Sequence, residues 1–175
     1  MKSIVIDNFF EDPYSVIDFA NKQTYYARQG EQYYEGKRTP NILDIDEKFF
    51  SEVSTKIIYH YFDQTKTYAI QGNLNFHKSS TSDMEDPNWL SGPIHKDDGF
   101  ITSCIVYLTP DAPMDSGTQI YREVDNEFVP DITYYNKFNR MIMFPGEVPH
   151  AAMSLSGGDK ERLTMLFFLR QIDEV

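Results

Sequence analysis

The chain has 175 residues, with 13 Phe and 12 Tyr among an ordinary apolar share, enough to bury one sizeable hydrophobic core. A net charge of −11 with no cluster of Lys and Arg to override it argues against a nucleic-acid partner. The single cysteine, Cys104, excludes an internal disulfide and a thiolate metal cluster.

No apolar run approaches the roughly 18 residues of a membrane span, and the N-terminal segment lacks a basic stretch followed by an apolar one. The expectation is a soluble, cytoplasmic protein with no membrane partner. Its oligomeric state stays open, a dimer included.

Ser3–Ile6 is a short apolar run predicted as a strand, and Asp7-Asn8-Phe9-Phe10 leads out of it. Asp12-Pro13 sets a capping carboxylate before a proline suited to the first helical position. With the apolar stripe Val16, Ile17, Phe19 and Ala20, this predicts a helix over about Pro13–Thr24. Tyr25–Asn41 shows no sustained period and reads as an ordered surface loop. Ile45, Phe49, Phe50, Val53, Ile57, Ile58 and Tyr61 recur at helical spacing and predict a second helix, about Asp46–Phe62. Both helices are expected to pack on the outside of a sheet.

Thr67–His77 alternates with period two: Tyr68, Ile70, Leu74 and Phe76 take one face, and Gln71, Asn73, Asn75 and His77 the other. The polar face either meets open solvent or lines a cavity for a polar substrate. In the second case Gln71, Asn73 and Asn75 are candidate substrate contacts and His77 a second-rank candidate for the site. Lys78–Ser91 is polar and reads as a lid or binding segment, or as a mobile excursion.

The next stretch, Pro93-Ile94-His95-Lys96-Asp97-Asp98-Gly99-Phe100, organises the chain. In an extended segment residues two apart share a side, so His95 and Asp97 can offer an imidazole and a carboxylate to one point. That is two-thirds of the two-His, one-carboxylate arrangement of non-haem Fe(II) oxygenases. The alternative is a solvated turn that happens to hold His and Asp. Cys104, inside the apolar strand Ile101–Thr109, reads as an inert core residue.

Beyond Leu108 the elements become short and evenly spaced. Turn signals at Pro110-Asp111-Ala112-Pro113, Asp115-Ser116-Gly117, Val129-Pro130-Asp131, Pro145-Gly146 and Ser156-Gly157-Gly158-Asp159 separate strands at Thr118–Val124, Asn139–Phe144, Val148–Met153 and Arg162–Leu169. This predicts a mainly β (α+β) protein, a jelly roll or double-stranded β-helix with the N-terminal helices packed on its outer sheet. One domain is expected over 1–175, helical support over about 1–66 and the jelly-roll core over about 67–172.

His150 follows the Pro145-Gly146 loop, a place from which a side chain can be aimed rigidly. Alone it is as good a loop histidine as a ligand. Beside His95 and Asp97 it completes a triad. Arg162 begins a strand apolar on both faces, so it is buried and needs an anion: a dicarboxylate cofactor gripped by the planar guanidinium, or a core or rim Asp or Glu.

In these residues the segment from His95 to Arg162 resembles the 2-oxoglutarate- and Fe(II)-dependent oxygenases, in particular their prolyl-hydroxylase-like branch. His95-Lys96-Asp97 matches the first two ligands. Ser103–Leu108 looks like the strand after them, whose tyrosine reaches the cofactor. Ser116-Gly117-Thr118 sits where the family has two glycines and a small or acidic residue. Asn139–Phe144 is similar to the strand leading to the distal ligand, His150, and Arg162 falls at the cofactor arginine. Ser116 departs from the family glycine, and the interval from His150 to Arg162 is long. Phe168 stands where the DNA-repair branch has a second arginine, which argues against that branch.

The resemblance implies a dioxygenase in which His95, Asp97 and His150 hold Fe(II). Arg162, helped by Tyr107 and Thr164, would hold 2-oxoglutarate. O2 would be the co-substrate, ascorbate an optional addition, and the products a hydroxylated substrate, succinate and CO2. It favours a peptidyl, prolyl-type side chain as substrate, with a free amino acid or small metabolite as the alternative. Two rivals remain: a non-catalytic jelly-roll binding module, and a metal enzyme on the same barrel that uses no 2-oxoglutarate.

Overall fold

The strand that begins at Arg162 is the axis of the larger of two sheets. In the computed structural model, which describes residues 2–27, 36–80, 93–154 and 161–175, the order begins β1 (Ile4–Ile6), α1 (Pro13–Asn21), β2 (Tyr26–Ala27), β3 (Lys37–Arg38), a 3-10 turn (Ile42–Asp44), α2 (Glu47–Tyr61) and β4 (Tyr68–Ser79). It continues with β5 (Thr102–Tyr107), a further 3-10 turn (Met114–Ser116), β6 (Thr118–Val124), β7 (Glu127–Tyr134), β8 (Met141–Pro145), β9 (His150–Ala152) and β10 (Arg162–Glu174). Seven strands pair in the order β1-β8-β5-β10-β4-β3-β2 and three in the order β7-β6-β9, all antiparallel among the described residues. This is the predicted jelly roll.

The two faces of the large sheet have separate partners. Met165 and Phe167 of β10 pair with Val106 and Cys104 of β5 and with Phe76 and Leu74 of β4, and all share one core with Val16, Ala20, Phe50, Val53, Ile57 and Ile58 of the helices. Phe19 stacks on Phe49 at 4.5 Å, and Phe50 meets Phe167 at 6.4 Å, rigid aromatic surface that ties helix to helix and helix to sheet. The opposite face carries Ile105, Tyr107, Ile142 and Phe144, which form a second cluster with Ile120, Ile132 and Tyr134 of the small sheet. The candidate site is built at the edge of this second cluster.

The first helix starts at its predicted cap, and the second starts at the expected position with Asp46 as its cap. Asp12 accepts from the backbone N–H groups of Tyr14 and Ser15, each at 3.1 Å, and Asp46 from that of Phe49 at 2.9 Å. The turn after β1 is fixed to the turn before β8. Asp7 accepts from Arg140 Nε at 2.7 Å and Lys137 Nζ at 2.7 Å, and the Asn139 amide brackets the backbone of Phe10 at 2.8 and 2.9 Å.

Some local expectations are corrected. Within the expected loop Tyr25–Asn41, Tyr26–Ala27 and Lys37–Arg38 pair with each other, and the latter with β4. Two-residue strands are too short to show alternation. Val129-Pro130-Asp131, read as a turn, lies inside β7. Proline is tolerated there because β7 is an edge strand, and the actual turn is Asp125-Asn126, with φ of 52° and 65° as a two-residue hairpin requires. β9 is shorter than Val148–Met153, and β10 runs beyond Leu169 through a register shift at Arg170. Most of Lys78–Ser91, and Ser156-Gly157-Gly158-Asp159, lie outside the described residues. Among the described residues no helix is long and apolar enough to cross a membrane.

Candidate metal centre

The His95 segment is not a regular strand. His95 alone bridges to His150 of β9, exchanging both backbone hydrogen bonds at 3.0 and 2.9 Å. Two residues on, the Asp97 N–H donates to the Gly146 carbonyl at 2.9 Å, and a turn closes from the Phe100 N–H to the Asp97 carbonyl at 3.2 Å around Gly99, φ +85°. Gly146 has to be glycine: a Cβ there would lie 2.4 Å from the Phe100 carbonyl oxygen and 2.9 Å from that of Asp97. The loop that leads to His150 is therefore locked against the segment that carries Asp97.

These contacts bring three side chains together. His150 Nε2 lies 3.4 Å from Asp97 Oδ2, His95 Nε2 lies 3.8 Å from Asp97 Oδ1, and the three candidate ligand atoms fall within 4.8 Å of one another. The imidazole centres are 4.4 Å apart. Each ring also has its other nitrogen committed: His95 Nδ1 sits 2.9 Å from the Pro93 carbonyl and His150 Nδ1 2.8 Å from the Val148 carbonyl. A carbonyl only accepts, so Nδ1 carries a proton in both rings, and Nε2 is the atom each ring can turn toward Asp97 as a lone pair. Two lone pairs and a carboxylate at this spacing repel unless a cation joins them. A proton would serve one imidazole, whereas a divalent metal ion serves all three groups.

The electrostatics agree with a neutral His95 imidazole and an ionised Asp97 carboxylate. Desolvation, then the neighbouring His150, holds the His95 imidazole below its ordinary value, although one edge of the ring is open. Burial pushes the Asp97 carboxyl up, but the neighbouring His150 and the hydrogen bond from Ser103 outweigh it and leave Asp97 below the usual carboxylate range. Ser103 Oγ donates to Asp97 Oδ2 at 2.5 Å, the kind of outer partner that orients a metal-binding carboxylate. His150 and Asp97 side chains are 6 % and 15 % exposed and His95 45 %, so the centre opens on the His95 side.

On the inner face of β5, Ser103 and Tyr107 are roughly 13 Å apart along the strand. At the Tyr107 end, Thr164 is its cross-strand neighbour and Arg162 lies one step further along β10 on the same face. Arg162 is 4 % exposed, its Nε donates to the Ser116 carbonyl at 2.8 Å, and its guanidinium carbon lies 5.7 Å from the centre of the Tyr107 ring. Among the described residues it has no carboxylate partner. Burial disfavours its charge, and Tyr107 is the group that opposes this. Among the described residues Thr164 Oγ1 is buried without a hydrogen-bond partner, and Tyr107, its phenol pushed up to about 12 by burial, shares a hydrogen bond with Thr118 Oγ1 at 2.8 Å. A buried guanidinium and an orphaned hydroxyl on one face are an anion site in search of a carboxylate, which fits the distal end of a dicarboxylate.

The other sequence candidates sort by position. Asn73 and Asn75 sit on this inner face, cross-strand from Phe168 and Leu166 of β10, and Gln71 follows in the same alternation. Asn75 is committed to the fold, its amide donating to the Thr39 carbonyl at 3.0 Å. His77 is buried opposite Thr164 and is not part of the triad. Cys104 is buried toward the helices and burial pushes its thiol up, as for an inert residue.

Sequence reasoning did not find Ser103, Thr118 or the work of Ser116. That serine accepts from Asn136 at 2.8 Å and donates to the Pro113 carbonyl at 2.6 Å, holding the turn whose carbonyl grips Arg162. Short hydroxyls in a strand pattern carry no signal of their own.

Solved structures share this fold at low identity. The α-ketoglutarate-dependent epimerase SnoN of nogalamycin biosynthesis matches with a TM-score of 0.69 at 10 % identity, over 95 % of this chain and 76 % of that one. HygX from Streptomyces hygroscopicus, with nickel and 2-oxoglutarate bound, matches at 0.65 and 10 %, over 95 % and 82 %. A prolyl hydroxylase from Trichoplax adhaerens, in complex with a hypoxia-inducible factor peptide fragment, matches at 0.58 and 14 %, over 95 % and 82 %. No curated protein is detectably similar in sequence. The model of DUF6445, described as a family of unknown function, matches residues 1–130.

Proposed function

The chain belongs to DUF6445, a family of unknown function, and we propose that it is an Fe(II)- and 2-oxoglutarate-dependent dioxygenase. The observation that carries this reading is Arg162, a buried guanidinium with no carboxylate partner among the described residues, on the sheet face that also carries Ser103, the partner of Asp97. The fold it shares with 2-oxoglutarate oxygenases supports the reading.

His95, Asp97 and His150 would hold Fe(II) on one side and leave the other positions open. Arg162, with Tyr107 and Thr164, would bind the distal carboxylate of 2-oxoglutarate. Iron and 2-oxoglutarate, when bound, would supply the oxidation, with one oxygen atom of O2 going to a substrate C–H bond and the other to succinate with loss of CO2. The rest is the work of the protein: Ser103 orients Asp97, the Pro93 and Val148 carbonyls fix the imidazole tautomers, and Ile105, Ile142 and Phe144 keep water from the site. Residues 1–175 act as one catalytic unit in this reading.

A peptidyl, prolyl-type side chain is the first choice of substrate, supported by the fold shared with a peptide-binding prolyl hydroxylase. A free amino acid or small metabolite is the second, supported by the fold shared with an enzyme of nogalamycin biosynthesis. Incubation with Fe(II), 2-oxoglutarate and O2 tests both. Succinate should form in equal amount with a proline-containing peptide heavier by one oxygen atom. Succinate that instead tracks added amino acids or small acids selects the second substrate class. Absence of both succinate and 2-oxoglutarate binding would leave a binding module on the same fold.

A further inference from the structure

Beside the triad, two aromatic rings and two guanidinium groups form one cluster that the metal and cofactor roles leave unused. Phe100 closes the turn that begins at Asp97, and Phe168 is the cross-strand neighbour of Ser103, which holds the Asp97 carboxylate. The two rings meet at 5.3 Å with 42° between their planes. The guanidinium carbon of Arg38 lies 5.7 Å from the centre of the Phe168 ring, and that of Arg170 lies 5.1 Å from the centre of the Phe100 ring.

Both arginines arrive by specific backbone devices. Arg38 is on β3, paired opposite His77, and its charge reaches His95, where it disfavours a second positive charge. Arg170 occupies the register shift between Leu169 and Gln171, and a bulge re-aims a side chain. Gly72 makes room for that bulge, since a Cβ there would come 2.6 Å from the Phe168 carbonyl oxygen. Asn73, exposed, is the other cross-strand neighbour of Phe168. In a chain of net charge −11, two cations held over one pair of rings beside the triad run against the overall field. A guanidinium held near a ring face keeps a planar fork of N–H donors, which matches a planar carboxylate.

We infer that Arg38, Arg170, Phe100, Phe168 and Asn73 form the substrate subsite, and that the substrate carries a carboxylate next to an apolar or aromatic body. The arginines take the carboxylate, the rings take the body, and Asn73 takes a neighbouring polar group. This assignment rests on the oxygenase reading of the triad and names the substrate class for it. A free acid and the C-terminus of a peptide offer the same chemistry.

The test uses the intact protein with Zn(II) and saturating 2-oxoglutarate, and follows N-acetyl-4-fluorophenylalanine and its carboxamide by fluorine NMR. The acid should bind about tenfold tighter than the amide, and Arg38→Gln and Arg170→Gln should each weaken the acid about tenfold while leaving the amide unchanged. Affinity for 2-oxoglutarate, measured separately, should stay at the wild-type value in both variants, which shows that the fold and cofactor site are intact. Equal binding of acid and amide overturns the assignment. So does acid binding that survives both substitutions and is lost in Arg162→Ala, because the acid then sits in the cofactor pocket. Failure of the wild type to bind 2-oxoglutarate is a failure of the oxygenase reading, and the acid and amide are then compared with Zn(II) alone. A tripeptide ending in the same residue separates the two sources: equal affinity assigns the carboxylate to a peptide terminus, exclusion to a free acid.

Discussion

His95 and His150, from segments more than fifty residues apart, are joined by a reciprocal pair of backbone hydrogen bonds at 3.0 and 2.9 Å. Directly opposed residues of an antiparallel pair project to one side, so backbone pairing alone sets the two imidazoles together. Side-chain truncation leaves that pairing in place. His95→Ala, Asp97→Ala and His150→Ala should each lower Ni(II) or Fe(II) affinity by more than the roughly 10–100-fold that loss of an outer partner costs. Calorimetric titration checks this, and His95→Ala should melt close to the wild-type metal-free protein.

Ser103 and Gly146 should matter to the metal without touching it. Ser103→Ala removes a hydrogen bond to the Asp97 carboxylate, and metal affinity should fall roughly 10–100-fold. Gly146→Ala forces a Cβ against the Phe100 and Asp97 carbonyls, at a cost of about 1–3 kcal/mol in stability. Denaturant melts and metal titrations of the same samples separate the two effects.

Because burial, then His150, holds the His95 imidazole below its ordinary 6.5, the unfolded chain takes that proton first as pH falls. The stability His95 contributes is complete above pH 6.5 and declines as pH drops from there toward the folded value. An NMR titration of the metal-free protein should give a His95 midpoint below 6.5. A midpoint above 6.5 would contradict the neutral, metal-ready imidazole.

Asp7 anchors β1 to the turn before β8, and Arg140 and then Lys137 hold its carboxyl down at about 2 from the ordinary 3.8. A depressed carboxylate stabilises above the unfolded value and loses that contribution as pH falls from 3.8 toward about 2. The group is partly exposed, so solvent screening reduces the effect, and Asp7→Asn should cost about 1 kcal/mol at neutral pH. Melts should show the difference shrinking through that acid window.

Much of this was legible in the sequence, and the reasons differ by element. Helix starts at Pro13 and Glu47 follow from local capping by Asp12 and Asp46. His95 and Asp97 could be placed side by side from spacing only if the segment was extended, and a solvated turn was the alternative. His150 and Arg162 needed their strand context, because a Pro/Gly loop and a doubly apolar strand say where a side chain is held and not what it meets. The short strands β2 and β3 and the proline-bearing edge strand β7 take their pairing from tertiary partners. Arg170 sits over Phe100 because the register shifts there, which no local pattern announces.

The central claim is that one face carries a metal triad and a guanidinium reserved for a dicarboxylate, and anaerobic titration tests it most directly. Fe(II) is added, then 2-oxoglutarate, and the visible metal-to-ligand charge-transfer band is followed for the wild type and for Arg162→Ala. The account predicts a band that saturates in the wild type, and in the variant a band that is lost while iron binding persists. No band in the wild type with iron bound, or the same 2-oxoglutarate affinity in both proteins, would contradict it.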